Sequence, residues 1–339
     1  MDHLVKNKQP LLDKFGRLSE PGYATEEIFE YNPEMIAASK WRIKEWDYYA
    51  LLSDEFGLSF TVADLGYLGL LTVCFFDFKT PELYTKSKKI FFPFGDMNLP
   101  NSINSGDVLI EKKGLLLKFL NQKNERRLIV EVNRFYKRKN LRVDVRLEKT
   151  KDDHMMIATP WQDHPKAFYF NQKINCMPVS GDVYFGGDLY TFKPERDFGV
   201  LDWGRGVWTY KNTWYWASLS GLVDGKRLGL NLGYGFGDTS KASENMIIYD
   251  GKAHKLDLVR FEFDPENLMD PWLFISNNQR LELEMTPILD RQDDTNLVII
   301  KNKGHQVFGL FNGHVILDDD QRIEIKDMLG FAEVITNHY

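Results

Sequence analysis

Cysteine is scarce in this chain of 339 residues, which contains only Cys74 and Cys176. Both lie in apolar surroundings, so we predict two reduced thiols in the core, and neither a disulfide nor a metal site. The sequence also lacks an Asn-x-Ser/Thr acceptor, and its N-terminus has no apolar core of signal-peptide length. These absences favour a cytoplasmic protein.

Long hydrophobic runs are absent as well. The longest, GYLGLLTVCFFDF at 66–78, is interrupted by Asp77 and falls short of the roughly 18 residues needed to cross a bilayer. We therefore expect no transmembrane segment. The formal net charge of −6 and the pI of about 5.7 argue against a general phosphate-binding surface, and hence against a nucleic acid partner.

Several catalytic signatures are also missing. No Gly-x-Ser-x-Gly elbow, P-loop or His-x-x-x-His spacing occurs, which disfavours hydrolases and nucleotidases of those types. The segment GYGFGD at 233–238 superficially resembles a dinucleotide loop, but no helical period follows it, so bends in a curved strand explain its glycines better. We expect neither a metal nor a cofactor.

Strand signals, in contrast, occupy almost the whole chain. Short segments rich in aromatic and branched residues alternate with Gly, Asn and Asp turns, and residues 141–148 alternate apolar with polar side chains. Asp224-Gly225 predicts a tight hairpin, and only 33–44 suggests a helix, a short one. The pattern predicts an all-β protein of two antiparallel lipocalin-like barrels or curved β-sandwiches in tandem, with few short helices.

A domain boundary is expected in the segment 150–168, which contains two prolines and clusters of polar residues. We predict an N-terminal β-domain over 1–162 and a C-terminal β-domain over 163–339. Each is long enough for a barrel of about eight strands, which can enclose one small ligand. The main pocket is expected in the C-terminal domain.

The stretch 199–245 is the reason for placing a pocket there. It contains four of the eight tryptophans, together with acids, two arginines and many glycines. Cores are usually built from Leu, Ile and Val, whereas Trp, Tyr, Asn, Asp and Arg can stack on a ligand and fix its polar groups. The composition predicts a site for a small-molecule ligand or substrate.

The charged residues of this stretch are the candidate catalytic groups. Asp202 lies between Leu201 and Trp203, so an inward-facing side chain would lose water and its pKa would rise towards that of a general acid. Arg205 could instead hold Asp202 ionised as a buried pair. Glu244 immediately precedes a strand-like segment and is expected at a barrel mouth. We predict Asp202, Arg205 and Glu244 as catalytic residues.

Aromatic and amide side chains are candidates for substrate binding. Trp214 and Trp216 share one strand face, where they could stack on a ligand or fill a core. Asn231, between two leucines, requires a hydrogen-bond partner from protein or ligand. Asp238 could pair with Glu244 as acid and base or at a cation site, or could be a surface turn residue. The predicted substrate-binding residues are Trp203, Trp208, Trp214, Trp216, Asn175, Asn231, Tyr234, Asp238, Asn245 and His164.

Motifs in the second half resemble those of a known family. FNQKINCMPVSG at 170–181, followed by LDWGRGVW, GLNLGYGFGD and SEN, is similar to the domain-of-unknown-function family numbered 2804. WDYYALLSDEFGLSFTVADLGYLG near the N-terminus and LFNGHVILDDDQRIEIKDMLGFAE near the C-terminus also fit, so the resemblance covers nearly the whole chain. It implies no established activity.

A more distant likeness concerns Asp202-Trp203-Gly204-Arg205, in an all-β chain of two halves. It resembles the motif of carotenoid hydratases and tocopherol cyclase, which belong to the lipocalin-like (calycin) group with paired barrels. This resemblance implies acid-assisted hydration or cyclisation of an apolar substrate. The histidine that such hydratases carry beside the acid is missing here, so their protonation chemistry is not carried over.

Three functions are therefore compatible with the sequence. The first is a cofactor-independent enzyme of lyase or isomerase type, using acid–base chemistry for hydration, cyclisation or isomerisation of an apolar or partly polar substrate. The second is a non-catalytic carrier that binds an apolar or glycosidic ligand in the same pocket. The third is a glycan-active protein, because aromatic platforms beside carboxylates are suited to sugars.

Overall fold

The computed structural model of this protein describes residues 2–297 and 300–338. Within this part of the chain the only helical segments are two 3-10 helices, Pro33–Met35 and Lys40–Arg42, both within the predicted short helix. No helix there is long and apolar enough to span a membrane. All other regular structure is β.

The strands of the first part of the chain are β1 (Gln9–Pro10), β2 (Gly22–Ala24), β3 (Phe29–Glu30), β4 (Ile43–Leu52), β5 (Phe56–Asp64), β6 (Leu68–Asp77), β7 (Glu82–Phe91), β8 (Val108–Lys112), β9 (Leu115–Asn121), β10 (Glu125–Tyr136), β11 (Lys139–Glu148), β12 (Met155–Trp161), β13 (His164–Phe185), β14 (Asp188–Phe192) and β15 (Phe198–Val207). Those of the second part are β16 (Lys211–Val223), β17 (Lys226–Tyr234), β18 (Met246–Tyr249), β19 (Lys252–Lys255), β20 (Val259–Glu262), β21 (Trp272–Ser276), β22 (Leu281–Leu297), β23 (Ile300–Ile316) and β24 (Arg322–His338).

Strands β1 and β3 pair with each other in parallel, and the other strands form two large sheets. The 13-stranded sheet has the order β7-β6-β5-β4-β15-β13-β11-β10-β9-β8, with β2, β12 and β14 attached to its side, and the 9-stranded sheet has the order β19-β18-β17-β16-β24-β23-β22-β21-β20. Each sheet curls into a half-barrel, and the two follow one another along the chain. The prediction of an all-β protein made of two curved antiparallel halves is confirmed.

Local sequence explains much of this pairing. In β10, Leu128, Val130 and Val132 are buried, while the residues between them face outwards or are half-buried, as the period of two requires. Asp224 and Gly225, with φ of 53° and 77°, form the predicted two-residue turn between β16 and β17.

The change of sheet lies later than the predicted domain boundary. The first sheet continues to Val207 and the second begins at Lys211, whereas the predicted 162/163 boundary falls in the turn between β12 and β13, both in the first sheet. The prolines that suggested a linker lie in strands, since Pro160 is paired with Phe168. Proline has no backbone N–H to donate. It is tolerated at strand positions where no hydrogen bond from that N–H is needed.

Each sheet encloses its own hydrophobic core, and the sheets pack through the faces turned away from those cores. Phe76 of β6 contacts Phe308 of β23, with ring centroids 4.3 Å apart. Tyr48 of β4 meets Trp216 of β16 edge-on at 6.0 Å. This contact zone between the sheets contains the candidate site.

Candidate functional site

A cavity of about 190 Å³ lies between the two sheets. Its aromatic wall includes Trp46, Tyr169, Trp208, Trp214, Trp216 and Phe236. Its acidic and basic side chains are Lys173, Asp202, Glu244, Arg291, Asp293 and Glu333. Both sheets therefore contribute charged groups to one space, which neither sheet could form alone.

Strand β15 places Asp202 in this cavity. The strand is buried along its whole length between β4 and β13, and alternation turns Asp202 towards the second sheet. Its direct cross-strand neighbour on β13 is Lys173, whose Nζ lies 3.2 Å from Oδ2 of Asp202. Asn171 donates its amide N–H to Oδ1 of Asp202 at 2.6 Å. Both carboxylate oxygens therefore have partners from β13.

Lys173 is the buried cation at the centre of the site. Besides Asp202, its Nζ lies 3.5 Å from Oε2 of Glu244 and 4.0 Å from the centroid of the Trp216 ring. Burial alone would lower the pKa of this ammonium, but Asp202 and Glu244 outweigh that effect and the pKa is raised. Lys173 is therefore held protonated between two carboxylates.

Tyr169 extends the network to the aromatic wall. Its hydroxyl is hydrogen-bonded to the Glu244 side chain. Burial, and then the negative charges of Glu244 and Asp202, raise the pKa of Tyr169 well above its ordinary value. The phenol therefore remains a proton donor in a hydrogen bond at all physiological pH values.

Glu333 of β24 is the cavity acid whose pKa is raised towards neutral pH. Burial raises its pKa to about 7, while Lys173 and Arg291 oppose this shift. Gln306 donates a hydrogen bond to Oε1 of Glu333 at 2.7 Å and accepts one from Nη1 of Arg291 at 3.1 Å. Glu333 can therefore both hold and release a proton near neutral pH.

We predict that Glu333 titrates near pH 7 in the folded protein. The measurement is carbon-13 NMR of the glutamate carboxyl carbons, with Glu333→Gln identifying the resonance. Because the folded-state pKa is raised above 4.5, the folded state binds more protons than the unfolded state between about pH 4.5 and 7. The contribution of Glu333 to stability thus falls as pH rises through this window, and Glu333→Gln removes that fall. A resonance that titrates at or below 4.5 would contradict the prediction.

Five of the predicted site residues meet at the cavity. They are Asp202, Glu244, Trp208, Trp214 and Trp216. Trp208 and Trp214 lie 6.0 Å apart, and both contact the ring of Phe236, at 4.7 and 5.2 Å. The aromatic platform and both predicted catalytic acids therefore share one space.

Arg205 and Trp203 lie on the opposite face of β15, which corrects their expected place beside Asp202. Arg205 is fully buried and donates to Oδ1 of Asp47 at 3.0 Å, and its guanidinium lies 3.9 Å from the centroid of the Trp203 ring. Both side chains face the first core. In a regular strand, residues an odd number of positions apart point to opposite faces, so Asp202 and Arg205 cannot pair.

The three predicted asparagines are bonded to protein groups behind the cavity wall. Asn231 accepts from Nε1 of Trp216 at 2.7 Å and donates to the backbone oxygen of Glu244 at 2.8 Å. Asn245 accepts from the backbone N–H of Gly233. Asn175 donates to Ser218, across to the second sheet. Asn231 therefore positions two cavity residues, and none of the three amides lines the cavity.

Tyr234, Asp238 and His164 lie elsewhere. Tyr234 stacks on Tyr215 at 4.6 Å beside the second core. Asp238 accepts the backbone N–H of Ser240 in the loop after β17, and this bond lowers its pKa. His164 is exposed where β13 begins. These residues are not brought together with the cavity acids.

The sequence analysis missed Lys173 and Glu333. A readable signal existed for both, because each is a single charge within an otherwise apolar or amide-rich strand segment, FNQKIN and GFAEVI. Charged residues are rarely fully buried unless they are paired, so a charge in such a segment indicates a partner nearby. The identity of that partner depends on strand pairing.

Together, the fold and the site define an all-β protein of two tandem half-barrel sheets that enclose an aromatic cavity lined by acids and two cations. The chain belongs to the family described as a domain of unknown function (DUF2804), whose model matches residues 2–339. The family predicted from the sequence motifs is confirmed.

Solved structures of similar architecture exist. The chain is similar to a structure named "putative AttH" from Nitrosomonas europaea, with a TM-score of 0.56, 13% identity, and coverage of 90% of this chain and 96% of that chain. It is also similar to kievitone hydratase from Nectria haematococca, with a TM-score of 0.48, 9% identity and 98% coverage of both chains. CghA gives a TM-score of 0.47, 9% identity and 97% coverage of both. A sequence comparison with curated proteins gives no match.

Proposed function

We propose that this protein is a cofactor-independent enzyme that transfers a proton to or from a small molecule bound between its two sheets. The reaction class is hydration, cyclisation or isomerisation of a substrate with an apolar body and a polar group. The observation that carries the proposal is Glu333, a buried carboxyl group in the cavity wall with a pKa of about 7. General acids and bases work best when their pKa lies near the operating pH.

The other cavity residues have distinct roles in this proposal. The rings of Trp208, Trp214 and Phe236 contact the apolar body of the substrate. The Lys173 ammonium pairs with Asp202 and Glu244, and the charge of these two acids stabilises positive charge that develops on the substrate as the proton arrives. We assign proton transfer to Glu333 and this electrostatic role to the two acids that the sequence suggested as proton donors.

The size of the cavity limits the substrate. Ligand sites usually measure about 300–1,000 Å³, and this cavity measures about 190 Å³. It therefore accommodates a small substrate, or the reactive end of a longer one whose remainder lies outside. Arg205 is not assigned a role in the reaction, because it faces the first core.

The test is proton transfer from solvent in deuterium oxide. Purified protein is incubated with a small-molecule extract of the cells in which it occurs, and mass spectrometry follows compounds that gain deuterium at a carbon atom. The wild type should produce at least one such compound, and Glu333→Gln should do so at least about 100-fold more slowly. Glu262→Gln, which changes an exposed acid of β20, is the matched control and should label at the wild-type rate.

A carrier function gives a different result. A carrier would retain a ligand through purification, detectable by native mass spectrometry, and would return it chemically unchanged and unlabelled. Trp214→Ala would then weaken binding, while Glu333→Gln would alter no product. That combination would contradict the proposed enzyme function. A deuterium-labelled sugar product would instead indicate that this cavity acts on glycans.

A further inference from the structure

The two carboxyl oxygens of Glu333 have different surroundings. Oε1 accepts a hydrogen bond from Nε2 of Gln306 at 2.7 Å. Oε2 has no hydrogen-bond partner among residues 2–297 and 300–338, and it is not fully enclosed by protein atoms. Because Glu333 lines the cavity, Oε2 is the oxygen that is available to a bound molecule.

The contact between Gln306 and Glu333 is built into the second sheet. Gln306 of β23 is the direct cross-strand neighbour of Glu333 of β24, so the two side chains share one sheet face. Both are buried in the contact zone between the sheets. From the first sheet, the hydroxyl of Tyr48 accepts a second hydrogen bond from Nε2 of Gln306 at 2.8 Å. The amide is therefore held by strand register and by packing of the two sheets.

Arg291 determines which way the Gln306 amide is turned. A glutamine amide has an acceptor oxygen and a donor nitrogen, which exchange places when the group is rotated by half a turn. A guanidinium group only donates, and Nη1 of Arg291 lies 3.1 Å from Oε1 of Gln306. In the opposite orientation the amide N–H groups would face the guanidinium N–H groups. The amide nitrogen is therefore directed at Glu333, whose Oε1 must accept.

Other charged side chains surround Glu333 without contacting it directly. Those that line the same cavity are Lys173, Asp202, Glu244, Arg291 and Asp293. In the described part of the chain, none of them forms an ion pair or a hydrogen bond with Glu333. Their charges act on the carboxyl group over longer distances. The contact that distinguishes its two oxygens is therefore the one with Gln306.

We propose that Gln306 is a positioning residue that places the transferable proton of Glu333 on Oε2, the oxygen available to the cavity. With Oε1 occupied as an acceptor, the protonated carboxyl group carries its hydrogen on Oε2. As an acid, Glu333 gives that proton to the substrate and becomes a carboxylate, to which the same Gln306 N–H still donates. This role rests on the proposed reaction, in which Glu333 transfers the proton, and it requires the reacting atom of the substrate to bind beside Oε2.

Infrared difference spectroscopy of the full-length protein tests which oxygen carries the proton. Spectra are compared well below and well above a pH of about 7, and Glu333→Gln identifies the C=O band of the protonated carboxyl group. In the wild type this carbonyl oxygen is Oε1, which accepts from Gln306. Gln306→Met removes the donor, so the band should move to higher wavenumber, as it does when a carbonyl loses a hydrogen bond. Gln122→Met, in the exposed turn between β9 and β10, is the matched control and should leave the band unchanged.

A second variant, Gln306→Glu, keeps the size of the side chain and exchanges the amide donor for an oxygen. Arg291 supplies the counter-charge, and the new carboxylate accepts a hydrogen bond where the amide donated one. It therefore draws the proton of Glu333 to Oε1, away from the cavity. In the deuterium assay, Gln306→Glu should label at least about tenfold more slowly than Gln306→Met, measured per folded molecule. A purely structural role of Gln306 would give the opposite order, because the isosteric variant would disturb the packing less.

The two readouts separate this role of Gln306 from the proposed reaction. An unmoved C=O band in Gln306→Met would overturn the role, and so would equal labelling rates of the two variants. If Gln306→Met does not fold, the band is measured in Gln306→Glu, where the carbonyl oxygen becomes Oε2 and the band should also move to higher wavenumber. If the wild type labels no compound, the proposed reaction fails, while the band still shows which oxygen of Glu333 carries the proton.

Discussion

Replacing Lys173 with methionine will lower the free energy of unfolding by about 3–5 kcal/mol. Methionine has a similar length, so the change removes the charge and leaves most of the packing. Asp202 and Glu244, exposed by only 7% and 8%, then lose the ammonium that lies 3.2 and 3.5 Å from them. A buried carboxylate without a counter-ion costs far more than a surface pair contributes.

Equilibrium unfolding in urea measures this effect. Lys226→Met is the matched control, because Lys226 pairs with Asp250 at 3.2 Å on the surface, and its removal should cost less than about 1 kcal/mol. Adding Asp202→Asn to Lys173→Met should recover part of the loss, since it removes one uncompensated charge. A loss for Lys173→Met no larger than that of the control would show that the two acids do not depend on this cation.

Arg205→Met is expected to have a similar cost, about 3–5 kcal/mol, without an effect on the cavity. Arg205 is fully buried, 3.0 Å from Asp47 and 3.8 Å from Glu45, and donates to the backbone oxygens of Trp46 and Pro100. Burial raises the pKa of Asp47, and Arg205 opposes this shift. Removing Arg205 leaves two acids in the first half without their cation.

The readout combines urea unfolding with the deuterium assay at temperatures where the variant is folded. The labelling rate per folded molecule should equal that of the wild type, because Arg205 does not line the cavity. Arg127→Met, which removes a surface pair with Asp144, is the control for stability. If Arg205→Met yields no folded protein, Arg205→Lys keeps a charge and should retain the wild-type rate. A loss of labelling in stable Arg205→Lys protein would show that Arg205 takes part in the reaction.

Lys173 and Arg205 lie on opposite faces of the same sheet and pair with different acids. Lys173 joins acids on the face turned to the second half, where the cavity lies, and Arg205 joins acids on the face turned to the first core. Arg205 belongs to β15, and Lys173 contacts Asp202 of the same strand. The site and the structural ion pair therefore lie on opposite faces of β15. A buried charge is therefore assigned a role here by the side of the sheet that it faces.

Strand periodicity and turn residues were sufficient to predict the all-β architecture, as β10 and the Asp224-Gly225 turn illustrate. The same period placed Trp214 and Trp216 on one face, and both line the cavity. The same period excludes a pair between Asp202 and Arg205, which lie three positions apart on opposite faces of β15. These properties depend on residues close together in the chain, so local pattern contains them.

Other properties depended on contacts between distant segments. Lys173 reaches Asp202 only because β13 pairs with β15 in one particular register, and Glu333 reaches the same cavity only because the two half-barrels pack face to face. The pKa of Glu333 follows from the burial that this packing causes. Register and packing are set by the sum of many non-local contacts, which no short stretch of sequence contains, so only the folded chain could bring these groups together.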